Sequence, residues 1–133
     1  MELHHYGFAT SDILASANIY ETLGYIRKSE VITDTIQQVR LLFLQKDEEP
    51  MIELVEPLQE KSPVTKILQK NGPTLYHSCF EVPDMNAAIS KLKGNQFIVI
   101  VKPVPATAFN NRLISFLYHK HLGLIELVQK NNT

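Results

Sequence analysis

The fold is decided by two stretches of sequence, Leu3-His4-His5-Tyr6-Gly7-Phe8-Ala9-Thr10-Ser11-Asp12-Ile13 and Leu75-Tyr76-His77-Ser78-Cys79-Phe80-Glu81-Val82-Pro83-Asp84-Met85. A histidine, a phenylalanine and an aspartate recur in the same order, each 72 residues further along the chain. Later in each copy, Phe43 and Glu53 are matched by Phe116 and Glu126 at an offset of 73 residues. Several matches in order at a nearly constant offset indicate that the chain is an internal duplication.

Both copies predict the same order of secondary structure. Each begins with a short apolar and aromatic run typical of a strand, followed by an aspartate in an N-cap position and a helix that ends at Gly24 or Gly94. Three further strands are predicted in each copy: Tyr25–Val31, Gln38–Leu44 and Met51–Glu56, then Phe97–Val101, Arg112–Tyr118 and Leu122–Gln129. The opening strands are predicted at Leu3–Thr10 and Leu75–Val82. The sequence therefore predicts an α+β fold made of two βαβββ modules.

A short helix is predicted between the modules. Ser62-Pro63 has the composition of a helix start, and Asn71-Gly72-Pro73 that of a helix end. A module of about 60 residues is marginal as a domain by itself. We therefore expect one domain over residues 1–133, made of module 1–58, linker helix 59–73 and module 74–130.

Composition and charge exclude several functional classes. The chain has 133 residues, 44% of them apolar, and its formal net charge is −1. A near-neutral charge without a basic stretch argues against nucleic-acid partners and against an anionic membrane surface. The sequence shows neither a transmembrane run nor the pattern of a secretory signal, so we expect a cytoplasmic location. Cys79 is the only cysteine, which excludes an intramolecular disulfide and a cysteine-based zinc cluster.

Period-two alternation places candidate metal ligands on one face of each module. On the first strand His5 shares its face with Gly7 and Ala9, which leave space beside the imidazole. Glu53 and Glu126 each alternate with flanking aliphatic residues on the last strand of their module. One histidine and one glutamate per copy, His5 with Glu53 and His77 with Glu126, suit a divalent ion such as zinc, nickel, cobalt, manganese or iron.

A purely structural explanation of the same residues stays open. A glutamate among aliphatic residues is often solvated, and a histidine doublet is often structural. The joint recurrence of both residue types in register favours the metal site over that explanation. His4, His119 and His121 have no counterpart in the repeat and are predicted to be surface or rim residues. Cys79 is predicted to be a small buried apolar residue.

The pattern resembles the vicinal oxygen chelate superfamily, the glyoxalase/bleomycin resistance/dioxygenase group, and within it the methylmalonyl-CoA epimerase family. The resemblance is carried by the two quoted stretches with Ile52-Glu53-Leu54-Val55-Glu56-Pro57-Leu58, Ser62-Pro63-Val64 and Gly123-Leu124-Ile125-Glu126-Leu127. It implies an open eight-stranded cup around one divalent metal ion. The implied ligands are His5, Glu53, His77 and Glu126, and position 53 varies between Gln and Glu in the family.

The resemblance also implies a reaction. A metal-dependent enzyme of this kind removes a proton next to a carbonyl, here that of a small acyl-thioester such as an acyl-CoA, with Glu126 or Glu53 as general base. Return of the proton to the opposite face is epimerisation, and its return to the adjacent carbon is the isomerisation of a lactoylglutathione lyase-like glyoxalase. A non-catalytic, bleomycin resistance-like binding module and an iron-dependent ring-cleaving dioxygenase are further alternatives. A homodimer is also expected.

One segment departs from the family pattern. Family members resembling this chain have a glycine-rich loop ahead of the penultimate strand, whereas Pro103–Arg112 contains no glycine. Phe109 and Arg112 are therefore predicted at the mouth of the cup, where they would alter what enters.

Overall fold

The computed structural model describes residues 1–131, and this part of the chain forms three α-helices, nine β-strands and one 3₁₀ turn. The helices are α1 (Ile13–Thr22), α2 (Pro63–Asn71) and α3 (Met85–Lys93). The strands are β1 (Glu2–Ala9), β2 (Ile26–Arg27), β3 (Ile32–Asp34), β4 (Val39–Gln45), β5 (Met51–Pro57), β6 (Thr74–Val82), β7 (Ile98–Ala106), β8 (Arg112–His119) and β9 (Gly123–Gln129). The 3₁₀ turn is Thr107–Phe109.

The chain divides into two compact units with the same strand topology. The first unit is His5–Tyr76, and the second contains Met1–His4 and the chain from His77 onward. In the first unit the strand order is β2-β4-β5-β1, with β3 also paired to β4. In the second unit the order is β6-β9-β8-β7. In each unit the opening strand runs parallel to the closing strand, and the other pairs are antiparallel. The predicted β-α-β-β-β order is thus present twice, while the assignment of residues 1–133 to one domain stays a prediction.

The helices begin where the sequence predicts. The carboxylate of Asp12 accepts a hydrogen bond from the Ala15 backbone N–H at 3.0 Å, and that of Asp84 accepts one from Ala87 at 3.1 Å. The Ser62 hydroxyl accepts from the Val64 backbone N–H at 3.2 Å. Each cap satisfies a backbone donor that has no partner within its helix.

Each unit has an apolar core between its helix and its sheet. The α1 core contains Ile13, Ala17, Leu42, Leu44, Ile52 and Leu54, and the α3 core contains Met85, Ala88, Val82, Leu117, Ile125 and Leu127. A side chain at the end of the closing strand binds the first backbone N–H of each helix. Glu56 accepts from Ile13, and Gln129 accepts from Met85, both at 3.0 Å. These residues stand at the repeat offsets, so the duplication extends to the way each helix is held on its sheet.

Two predictions about the strands are wrong in detail. Of the predicted strand Tyr25–Val31 only β2 forms, and a further strand, β3, begins after its end, which gives nine strands where the resemblance implied eight. Both strands pair with β4, and Ser29 lies between them, where its hydroxyl accepts from the Phe43 backbone N–H. The predicted strand Phe97–Val101 continues to Ala106 as β7. Pro103 and Pro105 are tolerated there because β7 is an edge strand with two register shifts.

Removing one fully buried side chain of the second core should lower stability strongly. Leu117 has no exposed surface, and Leu117→Ala is expected to lower the free energy of unfolding by about 2–5 kcal/mol because it leaves a cavity. Urea denaturation monitored by circular dichroism measures this change. The control Ile100→Ala, at a side chain that is 57% exposed, should change the free energy by less than about 0.5 kcal/mol. Equal losses in the two variants would contradict the assignment of this core.

Candidate functional site

The first unit brings His5 and Glu53 together on one face of its sheet. Because β1 is parallel to β5 with Gly7 opposite Glu53, His5, two residues earlier, points to the same side as the carboxylate. The Nε2 atom of His5 lies 3.5 Å from the Oε1 atom of Glu53. Both residues are buried: His5 has no exposed surface, and Glu53 is 4% exposed. The predicted sharing of a face is therefore observed for this pair.

The second unit repeats this arrangement with His77 and Glu126. Here Cys79 lies opposite Glu126 on β9, and His77 is again two residues earlier on β6. The distance from His77 Nε2 to Glu126 Oε1 is 3.2 Å. Both residues are buried. The duplication has thus preserved a buried imidazole–carboxylate pair and not only the apolar framework.

A phenylalanine packs against each histidine ring. Phe43 meets the His5 ring edge-to-face, with centroids 5.7 Å apart, and Phe116 meets the His77 ring in the same way at 5.4 Å. Both lie directly opposite the glutamate of their pair, Phe43 across from Glu53 and Phe116 across from Glu126. Sequence reasoning used these two phenylalanines only to establish the repeat. Their matching offset was already a signal that they belong beside the histidines.

The donor set in each unit fits a divalent metal ion. A buried carboxylate is costly unless a charged or hydrogen-bonding partner compensates for its lost hydration. An imidazole nitrogen a few ångströms from that carboxylate provides one partner, and a cation would provide a stronger one. Neutral imidazole and carboxylate are ligands that zinc, cobalt, nickel, manganese and iron accept. The residues present are thus suited to the kind of ion that the resemblance implies.

The structure also shows the burial of the residues that were predicted to lie outside the site. His4, predicted as a surface or rim residue, is half-buried and packs edge-to-face on Phe109 at 5.4 Å. His121 is exposed as predicted, and its backbone N–H donates to Nδ1 of the half-buried His119. Cys79 is fully buried, as expected for a small apolar side chain.

Phe109 and Arg112 make contacts within the second unit, and their position at the mouth of the cup stays a prediction. Phe109 is 6% exposed, and the Arg112 guanidinium lies 5.5 Å from the centre of its ring. Arg112 also donates to the Glu81 carboxylate at 3.0 Å and to the Gln129 carbonyl at 3.3 Å. The guanidinium charge is therefore paired inside the second unit, and these bonds hold the turn that follows β7 in place. The segment without glycine is instead shaped by Asn110 and Asn111, which adopt positive φ angles of 53° and 65°.

Over residues 1–131, the helices are all too short or too polar to cross a lipid bilayer.

Known proteins share both the sequence pattern and the fold. The model of the Glyoxalase/Bleomycin resistance protein/Dioxygenase superfamily matches residues 4–116. The mitochondrial methylmalonyl-CoA epimerase of Homo sapiens is 32% identical over 96% of this chain and 73% of its own length. The solved structure of methylmalonyl-CoA epimerase from Mycobacterium tuberculosis is 28% identical, with a TM-score of 0.85 over 98% of this chain and 89% of that one. A variant of the Streptomyces coelicolor epimerase in complex with 2-nitronate-propionyl-CoA is 28% identical, with a TM-score of 0.84 over 98% and 94%.

These matches confirm two predictions made from the sequence. The fold class is α+β of the glyoxalase kind, and the resemblance to methylmalonyl-CoA epimerases is supported by relatives that cover nearly the whole chain. The relatives are enzymes, which fits the epimerase interpretation better than the lyase or the binding-module alternative. With a superfamily model matched over residues 4–116, the chain belongs to the glyoxalase/bleomycin resistance protein/dioxygenase superfamily.

Proposed function

We propose that this protein is a metal-dependent epimerase of α-substituted acyl-CoA thioesters, of the methylmalonyl-CoA type. The observation that carries the proposal is the buried histidine–glutamate pair that recurs in both units, in a chain whose relatives are methylmalonyl-CoA epimerases. The S. coelicolor structure with 2-nitronate-propionyl-CoA supports an acyl-CoA as the substrate class.

We further propose that His5, Glu53, His77 and Glu126 hold one divalent ion together. Support comes from the chemistry of the donors, their burial and their equivalent positions in the two modules. When bound, such an ion would supply a Lewis acid for the carbonyl oxygen of the thioester. Geometry, ligand type and the availability of each metal, more than raw affinity, decide which of zinc, cobalt, nickel, manganese or iron fills this role.

The side chains have distinct parts in the proposed reaction. Epimerisation breaks the Cα–H bond of the acyl group, passes the proton to a carboxylate oxygen, and returns a proton to the opposite face of the same carbon. Glu126 or Glu53 is the proposed general base, and each lies close enough to an imidazole to be held in one orientation. Phe43 and Phe116 cover one side of the histidine rings and keep water from that side.

Location and association belong to the same proposal. A single, fully buried cysteine suits the reducing cytoplasm, where thiols stay unpaired. A homodimer, which the resemblance implies, is part of the same proposal, and the exposed side chains of Ile19 on α1 and of Leu23 at its end leave apolar surface for it.

Deuterium exchange tests the reaction directly. Metal-loaded protein in D₂O is expected to exchange the α-proton of methylmalonyl-CoA at a rate at least about 10³-fold above the protein-free rate, because a placed base and a Lewis acid act together. Proton NMR follows the loss of the α-proton signal. Propionyl-CoA, which lacks the second carbonyl group, is the matched control and should exchange far more slowly. Absence of exchange on methylmalonyl-CoA and ethylmalonyl-CoA would overturn the proposal.

A further inference from the structure

A second group of metal-binding side chains lies beside the histidine–glutamate pairs. His4, His5 and Cys79 each offer one ligand atom, a ring nitrogen or the thiol sulfur, and these three atoms lie within 4.8 Å of one another. His5 and Cys79 have no exposed surface, and His4 is half-buried. Of the three residues only His5 belongs to the proposed site for the divalent ion, so the proposed reaction gives His4 and Cys79 no part.

The two donors outside that site are placed by contacts within the second unit. Cys79 lies opposite Glu126 in the β6–β9 pair and, two residues after His77, points to the same side of the sheet. The ring of His4 packs edge-to-face on Phe109, with centroids 5.4 Å apart. Because Phe109 is itself buried, its apolar ring shields one side of the imidazole from water. A nitrogen donor and a sulfur donor are thus held close together in surroundings with little water.

We propose that His4, His5 and Cys79 form a second metal site, which binds one soft ion, copper(I). Thiolate ligands select copper(I), and imidazole suits copper as well, whereas carboxylates suit harder ions. Zinc is almost always four-coordinate in proteins, while copper(I) accepts two or three ligands, which is the number that this group supplies. Binding converts the Cys79 thiol to a thiolate, and the proton passes to the solvent.

The separation of the ligand atoms fits one common ion. Bonds of about 2.3 Å to sulfur and 2.0 Å to nitrogen, the lengths found for zinc, span about 4.3 Å when the two bonds lie in line. The three ligand atoms lie within 4.8 Å of one another, so at most small side-chain movements are needed to bring them onto one ion.

The shared residue His5 links this site to the proposed catalytic ion. An ion held by Cys79 draws on the same imidazole that the divalent ion needs, and Cys79 lies beside the His77–Glu126 pair on the strand face. Copper(I) is therefore expected to weaken the binding of the divalent ion at least about tenfold. This competition rests on the proposed function, whereas the binding of copper(I) does not depend on it.

Titration of the metal-free protein with copper(I), added without oxygen as its acetonitrile complex, tests the site. The wild type should bind one copper(I) per chain and show the ultraviolet absorption of a copper–thiolate bond. Cys79→Ala should abolish this absorption and weaken binding at least about 100-fold, measured by competition with a copper(I) chelator, because it removes a ligand. His4→Gln should weaken binding at least about tenfold. His121→Gln, at an exposed histidine, is the matched control and should bind copper(I) like the wild type.

Further variants separate the copper site from the proposed catalytic site. Glu126→Gln leaves all three copper ligands in place, so its affinity for copper(I) should stay close to that of the wild type even where divalent metal is lost. Circular dichroism checks that each variant is folded, and His4→Gln, at a half-buried position, supports the test if Cys79→Ala is unstable. A wild type without the copper–thiolate absorption, or a His4→Gln variant that binds copper(I) as tightly as the wild type, would overturn the proposal. An equal loss in His121→Gln would do the same, because it would place the copper on the exposed histidines.

Discussion

Replacing His77 by alanine is expected to remove most of the bound divalent metal from the protein. We expect about one ion per chain in the wild type, and a loss of affinity of more than about 100-fold in the variant, since even groups that only orient a ligand account for about 10–100-fold. His77 is buried, and its Nε2 lies 3.2 Å from Glu126, so the imidazole cannot be replaced by a neighbouring side chain without rearrangement. Elemental analysis after dialysis measures the metal directly.

Thermal unfolding gives an independent measure of the same site. A ligand that binds only the folded state raises the unfolding temperature, so a chelator should lower it for the wild type and have no effect on His77→Ala. His121→Ala, at an exposed histidine, is the matched control and should keep the metal. His5→Ala should repeat the loss, which guards against a folding defect particular to position 77. Full metal occupancy in both variants would contradict the assignment of the histidines as metal ligands. Two ions per chain would show that each histidine–glutamate pair binds its own ion.

The parts of the fold that could be predicted rest on local chemistry or on the repeat. Asp12, Asp84 and Ser62 were identified as caps because a short polar side chain ahead of an apolar row has few other roles, and each makes the expected bond. His5 and Glu53 were placed on a common face from strand alternation alone. In both cases the deciding interaction lies within a few residues or follows directly from strand pairing.

The end of α3 confirms the predicted stop but not the expected backbone conformation. The helix ends at Lys93 with Gly94 as its C-cap, yet Gly94 keeps a right-handed φ of −65°. The left-handed position is occupied by Gln96, with φ 71°, which stands 72 residues after Gly24, with φ 98°. In both copies the next residue, Tyr25 or Phe97, donates its N–H back to the last turn. The duplicated backbone geometry was kept although the residue was not, and the aligned repeat was a better guide than the nearest glycine.

Side-chain contacts between residues far apart in the sequence could not be predicted. Arg112 was predicted only to lie at the mouth of the cup, and its bonds to Glu81, 31 residues away, and to the Gln129 carbonyl were not foreseen. The contact of His4 with Phe109 joins residues still further apart in the sequence. The local sequence around each of these residues allows several contact partners, and only the assembled sheet decides which partner is contacted. The histidine–glutamate pairs could be predicted because both residues recur at matching positions in the two copies.

The largest effect on catalysis is expected at Glu126. Glutamine keeps the shape of the side chain and one oxygen that can bind a cation, but it cannot accept a proton at neutral pH. Glu126→Gln should therefore keep part of the metal and lose α-proton exchange by at least about 10²-fold, the usual contribution of a positioned base. The measurement is the same deuterium exchange, made with variants whose metal content has been determined, so that a loss of metal and a loss of the base are separated.

Glu53→Gln is the matched variant, because the two glutamates hold equivalent positions in the duplication. The Oε1 atom of Glu53 lies 3.5 Å from Nε2 of His5, and that of Glu126 lies 3.2 Å from Nε2 of His77. Both glutamates are also buried, so their surroundings differ little. The family resemblance, in which position 53 alternates between Gln and Glu, indicates that a proton acceptor is dispensable there. Exchange by Glu53→Gln should accordingly stay within about tenfold of the wild type, well short of the loss expected from removing a base. A larger loss at position 53 than at 126 would assign the base to the first module, and equal small losses would place it outside both pairs.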